Sequence, residues 1–123
     1  MPHEMGHSMN GAMQKCIQDC TECHNICVAT LAHCLQMGGK HVEAAHIKAL
    51  LDCADTCRTS ADFMLRGSEL HMQACGLCAE ACERCAKSCA QFGDDAEMKA
   101  CADVCRRCAE SCKQMAGMAG MKM

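Results

Sequence analysis

Along most of this chain the buried-type positions recur at steps of three and four residues, the spacing that aligns side chains on one face of an α-helix. The residue at those positions is most often cysteine, as in CGLCAEACERCAKSC at 75–89, while the positions between are Ala, Glu, Lys, Gln and Arg, which favour helix. A first periodic segment spans 13–37 and meets the stop signal Gly38-Gly39. A second runs over 41–66 to Gly67, and a third, with Ser68 as its N-cap, continues through Phe92 to Gly93. Asp94 with Glu97 three residues on has the spacing of a capping box and opens a fourth segment that reaches Met115. Short connections between four such segments predict an all-α fold, an antiparallel up-down-up-down four-helix bundle over 13–115 with a cysteine-lined core. Residues 1–12, rich in His and Met but broken by Pro2, Gly6 and Gly11, read as a mobile arm, and 116–123 as a flexible Met-rich tail.

The inward seams follow by stepping three and four. The first gives Met13, Cys16, Cys20, Cys23, Cys27, Thr30, Cys34 and Met37; the second Glu43, His46, Leu50, Cys53, Cys57, Ser60 and Met64. The third gives His71, Cys75, Cys78, Cys82, Cys85, Cys89 and Phe92, and the fourth Met98, Cys101, Cys105, Cys108, Cys112 and Met115. All sixteen cysteines fall on a seam. Leu, Ile, Val and Phe together number only fifteen of 123 residues, too few for an ordinary core. Cysteine, a small hydrophobe, must supply the interior, yet it is shallow beside Leu or Ile. Stacked cysteine layers should leave the centre underpacked.

Composition removes several classes of function. With no Trp or Tyr, two Phe and a net charge of −3, neither base stacking nor phosphate attraction has a basis, so no nucleic acid is expected. No apolar run is long enough to span a membrane or to form a signal-peptide core, which points to a cytoplasmic protein, or an exported one if a signal was removed before residue 1. A disulfide-linked structural or interaction protein is an alternative, but such scaffolds are loop-rich. Cysteines four apart on a helix have Cβ atoms about 5–6 Å apart, against roughly 3.5–4.5 Å in a disulfide. Catalysis has little support. Sixteen similar thiols single out no nucleophile, and Glu80, Glu83, Asp103 and Glu110 lie between the seams as a solvated face.

Metal binding explains the thiols better than packing does. Side chains at i and i+3 or i+4 can rotate so that two sulfurs flank one ion at about 4.5 Å, twice a metal–sulfur bond of about 2.3 Å. A two-sulfur site suits soft, monovalent Cu(I). Charge separates the metals. About one Cu(I) per thiolate leaves the core near neutral, whereas closed four-thiolate Zn(II) sites would bury about two negative charges each, and no Lys or Arg lies on any seam. The spacing is not that of a zinc ribbon, a thioredoxin motif or an iron–sulfur run. A general thiol-rich buffer for Zn or toxic soft metals stays open as the competitor.

Antiparallel packing gathers Met13, Met64, His71 and Met115 at one end, near Cys16, Cys75 and Cys112, with Met72 adjacent. That end offers exchangeable ligands, and Cu(I) is expected to enter there, with Gly76 marking the opening; the alternative is that these methionines, at helical spacing, simply cap the core. The other end gathers His46, Leu50, Phe92 and Met98 around Cys34, Cys89 and Cys101 and reads as the more apolar. His24 and His33 lie off the seams and read as solvent-facing.

Taken together, CIQDCTECHNIC, CADTC, CGLCAEACERCAKSC and CADVCRRCAESC resemble the bacterial copper storage proteins over about 13–115. The resemblance implies storage of many Cu(I) ions inside a cysteine-lined bundle and thiolate ligation by the seam cysteines. It also implies His/Met sites near an open end and a homotetramer of bundles. The family has cytosolic and exported forms: the His/Met-rich arm is similar to the exported form, the high cysteine count to the cytosolic one.

Overall fold

A computed structural model describes residues 11–117; the segments 1–10 and 118–123, which hold most of the arm and of the Met-rich tail, lie outside the described residues. Among the described residues four helices follow one another: α1 (Gly11–Met37), α2 (Ala44–Leu65), α3 (His71–Ala90) and α4 (Ala96–Met115). One 3₁₀ turn, Gly39–Val42, joins the first two. Each helix packs on the next, and α4 closes back on α1. The result is the four-helix bundle that the periodicity predicts.

The helix ends differ from expectation by a few residues, each for a local reason. Gly38 and Gly39 do stop α1, with φ of 69° and 57°, a left-handed backbone that glycine adopts without the clash of a Cβ. His41 is not yet helix α2. It lies in the 3₁₀ turn, where its N–H donates to the Gly38 carbonyl at 3.1 Å. Ser68 does not cap α3, because its hydroxyl accepts the Leu70 N–H at 3.0 Å inside a turn and the helix starts at His71. The cap of α4 is Asp95 rather than Asp94: Asp95 Oδ1 accepts the N–H groups of Glu97 and Met98 at 3.0 and 3.2 Å. Helix α3 ends at Ala90, so Phe92 lies in the following connection, with its ring 4.2 Å from that of His41 and 4.9 Å from that of His46.

All sixteen cysteines are buried, none more than 1% exposed. Beside them lie alanines seven apart on three helices, Ala54 and Ala61, Ala79 and Ala86, Ala102 and Ala109, all buried. Seven residues are two helical turns, so each helix carries a smooth ridge next to its cysteine seam. Small side chains let neighbouring backbones approach, and shallow cysteines then reach one another. The expected underpacking is therefore absent where the thiols meet: neighbouring sulfurs lie 3.5–4.0 Å apart, in van der Waals contact. The seams are shorter than predicted, since Met37 and Glu43 are exposed. Polar latches tie the helices outside the sulfur: Ser60 donates to the Ala74 carbonyl at 3.0 Å, and Ser111 of α4 donates to Asp19 of α1.

Candidate metal centre

All the thiols but Cys34 form one connected system. From Cys16, contacts run to Cys112 (3.7 Å), Cys20 (3.5 Å), Cys108 (3.7 Å), Cys57 (3.7 Å) and Cys82 (3.6 Å). They continue to Cys53 (3.5 Å), Cys23 (3.6 Å), Cys105 (3.7 Å), Cys27 (3.9 Å) and Cys101 (4.0 Å). Cys78 joins at Cys57 (3.6 Å) and Cys85 at Cys27 (4.0 Å). Cys75 lies beside Cys112 and Cys16, and Cys89 beside Cys101 and Cys85.

Among the groups of sulfurs lying within 4.8 Å of one another, five overlapping quartets reveal an order in this system. They overlap two by two, so that twelve cysteines fall into six successive pairs: Cys20/Cys112, Cys78/Cys108, Cys57/Cys82, Cys23/Cys53, Cys27/Cys105 and Cys85/Cys101. Any two consecutive pairs make one quartet. Each pair bridges two neighbouring helices, in the order α1–α4, α3–α4, α2–α3, α1–α2, α1–α4, α3–α4, so the pairs wind round the bundle as a spiral ladder. The antiparallel stagger of four seams produces this, since each helix offers a cysteine at a different height. Chemically, the twelve sulfurs can serve either as three separate quartets, Cys20/Cys78/Cys108/Cys112, Cys23/Cys53/Cys57/Cys82 and Cys27/Cys85/Cys101/Cys105, or as one continuous run, because each inner pair belongs to the quartet on either side. Metal bonds of about 2.3 Å place two sulfurs ~4.6 Å apart across a linear ion and ~4.0 Å apart around a trigonal one. The 3.5–4.0 Å contacts reach those separations by small side-chain rotations.

Protons in the ladder are held collectively. Hydrogen bonds from neighbours pull some thiols down, Cys23 through Cys105 first, Cys78 through Cys108 and Cys85 through Cys101. The same bonds push others up, Cys57 through Cys108, Cys105 through Cys101 and Cys112 through Cys108. A metal ion binding here displaces protons from a network rather than from one acid.

The two ends differ from the ladder and from each other. At the Gly38 end, His46 Nε2 lies 3.3 Å from Cys34 Sγ, and the Cys34 thiol reaches Met98 Sδ at 3.7 Å. His46 Nδ1 is held by Ser88 Oγ at 2.7 Å. Burial, the largest influence on His46, lowers its pKa, so the ring is neutral and can offer a lone pair to a soft ion. Burial pushes the Cys34 thiol up to about 11, with help from Asp95 and Cys101. At the Gly67 end, Met64 is buried, Met13 and Met115 are half-buried against the core, and His71 Nδ1 donates to the Ser68 carbonyl at 3.0 Å. These residues sit one or two turns beyond Cys16, Cys57, Cys75 and Cys112 on their helices.

A family model described as Csp, copper storage protein, matches residues 9–117. The chain belongs to the copper storage protein family. Among solved structures it is similar to the Nmul_A1745 protein of Nitrosospira multiformis, 44% identical over 89% of this chain and 99% of that one, with a TM-score of 0.83. It is also similar to the Cu(I)-bound copper storage protein BsCsp3, at 32% identity, 85% and 98% coverage and a TM-score of 0.79; the apo form of Csp3 is from Bacillus subtilis. A cytosolic copper storage protein of Streptomyces lividans, loaded with five coppers, matches at 27% identity over 86% of this chain and 92% of that one, TM-score 0.74. No curated protein sequence matches.

In this copper storage fold all sixteen predicted cysteines share one buried column. His46 and Met98 meet Cys34 at the Gly38 end, as the seams predict. That end, expected to be the more apolar of the two, also offers a ring nitrogen and a thioether beside a thiol. His24 and His33 are half-buried rather than fully solvent-facing. His24 Nδ1 donates to the Ala54 carbonyl at 2.8 Å, and His33 Nε2 meets Asp95 Oδ2 at 2.8 Å. Gly76 does not mark an opening, since it lines an outer groove with Glu80, Glu83, Arg84 and Lys87. The acidic residues between the seams do form a surface, in ion pairs such as Glu80 with Arg84 and Asp103 with Arg106.

Proposed function

We infer that this protein stores Cu(I) as a thiolate-bound cluster along the ladder, with Cys16, Cys20, Cys23, Cys27, Cys34, Cys53, Cys57, Cys75, Cys78, Cys82, Cys85, Cys89, Cys101, Cys105, Cys108 and Cys112 as ligands. Sixteen buried thiols in a core that holds no buried Lys or Arg among the described residues carry this reading. The overlapping quartets can take a chain of bridged monovalent ions, which leaves that core near neutral. Closed Zn(II) sites could use three of the same quartets, each with four thiolates of its own, but they would leave uncompensated negative charge in a core without cations. Similarity to a protein whose structure is Cu(I)-bound supports the same metal. The disulfide alternative is disfavoured, as every cysteine is a free thiol.

Met13, Met64, His71 and Met115 serve as exchangeable ligands where Cu(I) enters the Gly67 end, and the Cys34–His46–Met98 group takes one ion at the other. Storage proceeds without catalysis, since the thiols act as a set. The protein works in the cytoplasm, where thiols stay reduced and where a relative is described as cytosolic. It needs neither nucleic acid nor membrane. Exposed Val28, Leu35, Leu51, Leu70 and Leu77 support assembly into a homotetramer of bundles.

Anaerobic titration with Cu(I) against a competing chelator decides the matter. Saturation near one copper per cysteine is the expected result. Saturation near one metal per four cysteines, with Zn(II) preferred, would overturn it.

A further inference from the structure

Beyond the thiols, the chain brings two histidines and a carboxylate from three separate elements to one point. His33 of α1 places Nε2 2.8 Å from Asp95 Oδ2, and His41 of the 3₁₀ turn places its Nε2 3.0 Å from the same oxygen. The other oxygen, Asp95 Oδ1, is fixed by the Glu97 and Met98 N–H groups. Capping α4 thus aims Oδ2 at the two imidazoles. Glu97 Oε1 lies 3.1 Å from His33 Nδ1, the outer position from which a carboxylate orients a metal-binding histidine. His41 is set by its ring contacts, 4.2 Å to Phe92 and 5.7 Å to His33. The three side chains are 14–16% exposed, sheltered yet open to solvent on one side.

We propose that His33, His41 and Asp95 form a site for one borderline divalent ion, Zn(II) in kind, distinct from the Cu(I) ladder. Ligand bonds of about 2.0–2.2 Å to nitrogen and oxygen set neighbouring ligands ~3.3 Å apart in a tetrahedral site. The hydrogen-bonded distances of 2.8 and 3.0 Å are a few tenths short of that, so an ion replaces the bridging protons with small ring movements. Imidazole and carboxylate are borderline and hard donors, which favour a divalent ion over Cu(I). The positive end of α4 opposes a cation here, and the two carboxylates of Asp95 and Glu97 offset it. Water fills the fourth position on the solvent side. The ion would pin the connection between α1 and α2 to the start of α4, beside the Cys34–His46–Met98 group.

The test uses the copper-saturated protein, whose thiols are masked, titrated with Zn(II) against a chromophoric chelator. Binding of one further Zn(II) per chain is expected, weakened by about 100-fold in the His33→Phe/His41→Phe double variant and by about 10-fold in Asp95→Asn, which keeps the cap. Phenylalanine retains the ring packing, and an unchanged copper load in the double variant confirms its fold. X-ray absorption at the zinc edge should show a nitrogen and oxygen shell with imidazole scattering. No Zn(II) beyond the copper load, equal binding by the double variant, or a sulfur shell would each overturn the site. Should the chain fail to take up Cu(I), the storage reading falls and this one is judged on the unloaded protein. There an imidazole component present in the wild type and lost in the double variant supports it, and its absence refutes it.

Discussion

The ladder and the Gly38 end are built on the same helices yet place their ligands by opposite means. In the ladder every donor is sulfur, each inner pair serves two quartets, and hydrogen bonds from neighbouring thiols lower some pKa values and raise others. At the Gly38 end each donor is held by an individual partner: His46 by Ser88, Asp95 by two backbone N–H groups. Redundancy gives the ladder capacity at the expense of individuality, and fixed partners give the end orientation at the expense of capacity. Substitutions should therefore behave differently in the two regions. Losses in the ladder should spread to neighbours, whereas losses at the end should stay local.

The largest effect should come from removing an inner pair. In Cys57→Ser/Cys82→Ser two consecutive quartets lose half their sulfurs, so bound copper per chain should fall by clearly more than the two thiols removed. Removing Cys75 and Cys89 together, which stand outside the ladder pairs, should cost no more than their own share. Metal analysis after desalting compares the two variants; equal losses would show the sites to be independent and the ladder to be only geometric. The apoprotein also loses stability at the inner pair, about 1–3 kcal/mol for each serine hydroxyl left without a partner, measurable by urea unfolding.

This division also governs what the sequence could disclose. Cysteine at steps of three and four fixes a seam, and four seams with short links fix the bundle, so the burial of Cys75, Cys78, Cys82, Cys85 and Cys89 could be read directly from their spacing. The pairing order of the ladder could not. It depends on the relative heights of the four helices, which the alanine ridges and the 3₁₀ turn set. At the Gly38 end the key contacts join residues 33, 41 and 95, remote in sequence and off every seam, so periodicity has nothing to say about them. Asp94 and Asp95 are equally plausible caps by spacing, and only the backbone at Asp95, φ −90° and ψ 112°, decides.

A smaller and more local effect is expected at His46. His46→Ala leaves Ser88 and Cys34 without their ring partner and opens a small cavity beside Phe92 and Leu50. About 1–3 kcal/mol should be lost. Copper capacity should drop by no more than one ion, while uptake through this end slows, as stopped-flow loading would show. A capacity loss as large as that of the inner pair would mean that the end belongs to the ladder after all.

The smallest effect separates the two tasks of Asp95. Asp95→Ala removes the α4 cap, worth about 0.5–2 kcal/mol, whereas Asp95→Asn keeps an oxygen for the Glu97 and Met98 N–H groups and removes only the charge facing the histidines. The His33 hydrogen bond is the main influence holding the Asp95 carboxyl well below the usual carboxylate range, followed among the lowering influences by His41 and the Met98 N–H. Asp95 in turn raises the His33 pKa, chiefly through the same bond. A depressed carboxyl contributes stability that is present above its unfolded pKa of about 3.9 and lost as pH falls through its folded value. A raised histidine contributes stability that is complete below its unfolded pKa of about 6.5 and lost as pH rises through its folded value. Both conditions hold between about pH 4 and 6.5. The melting temperature of the metal-free wild type should therefore exceed that of Asp95→Asn most in that window, with the gap narrowing on either side. The gap between Asp95→Asn and Asp95→Ala should stay nearly constant across the same range, because a backbone cap does not titrate. A pH-independent difference between wild type and Asp95→Asn would show that Asp95 holds His33 and His41 by geometry alone, and the contrast between the two regions would then rest on the ladder.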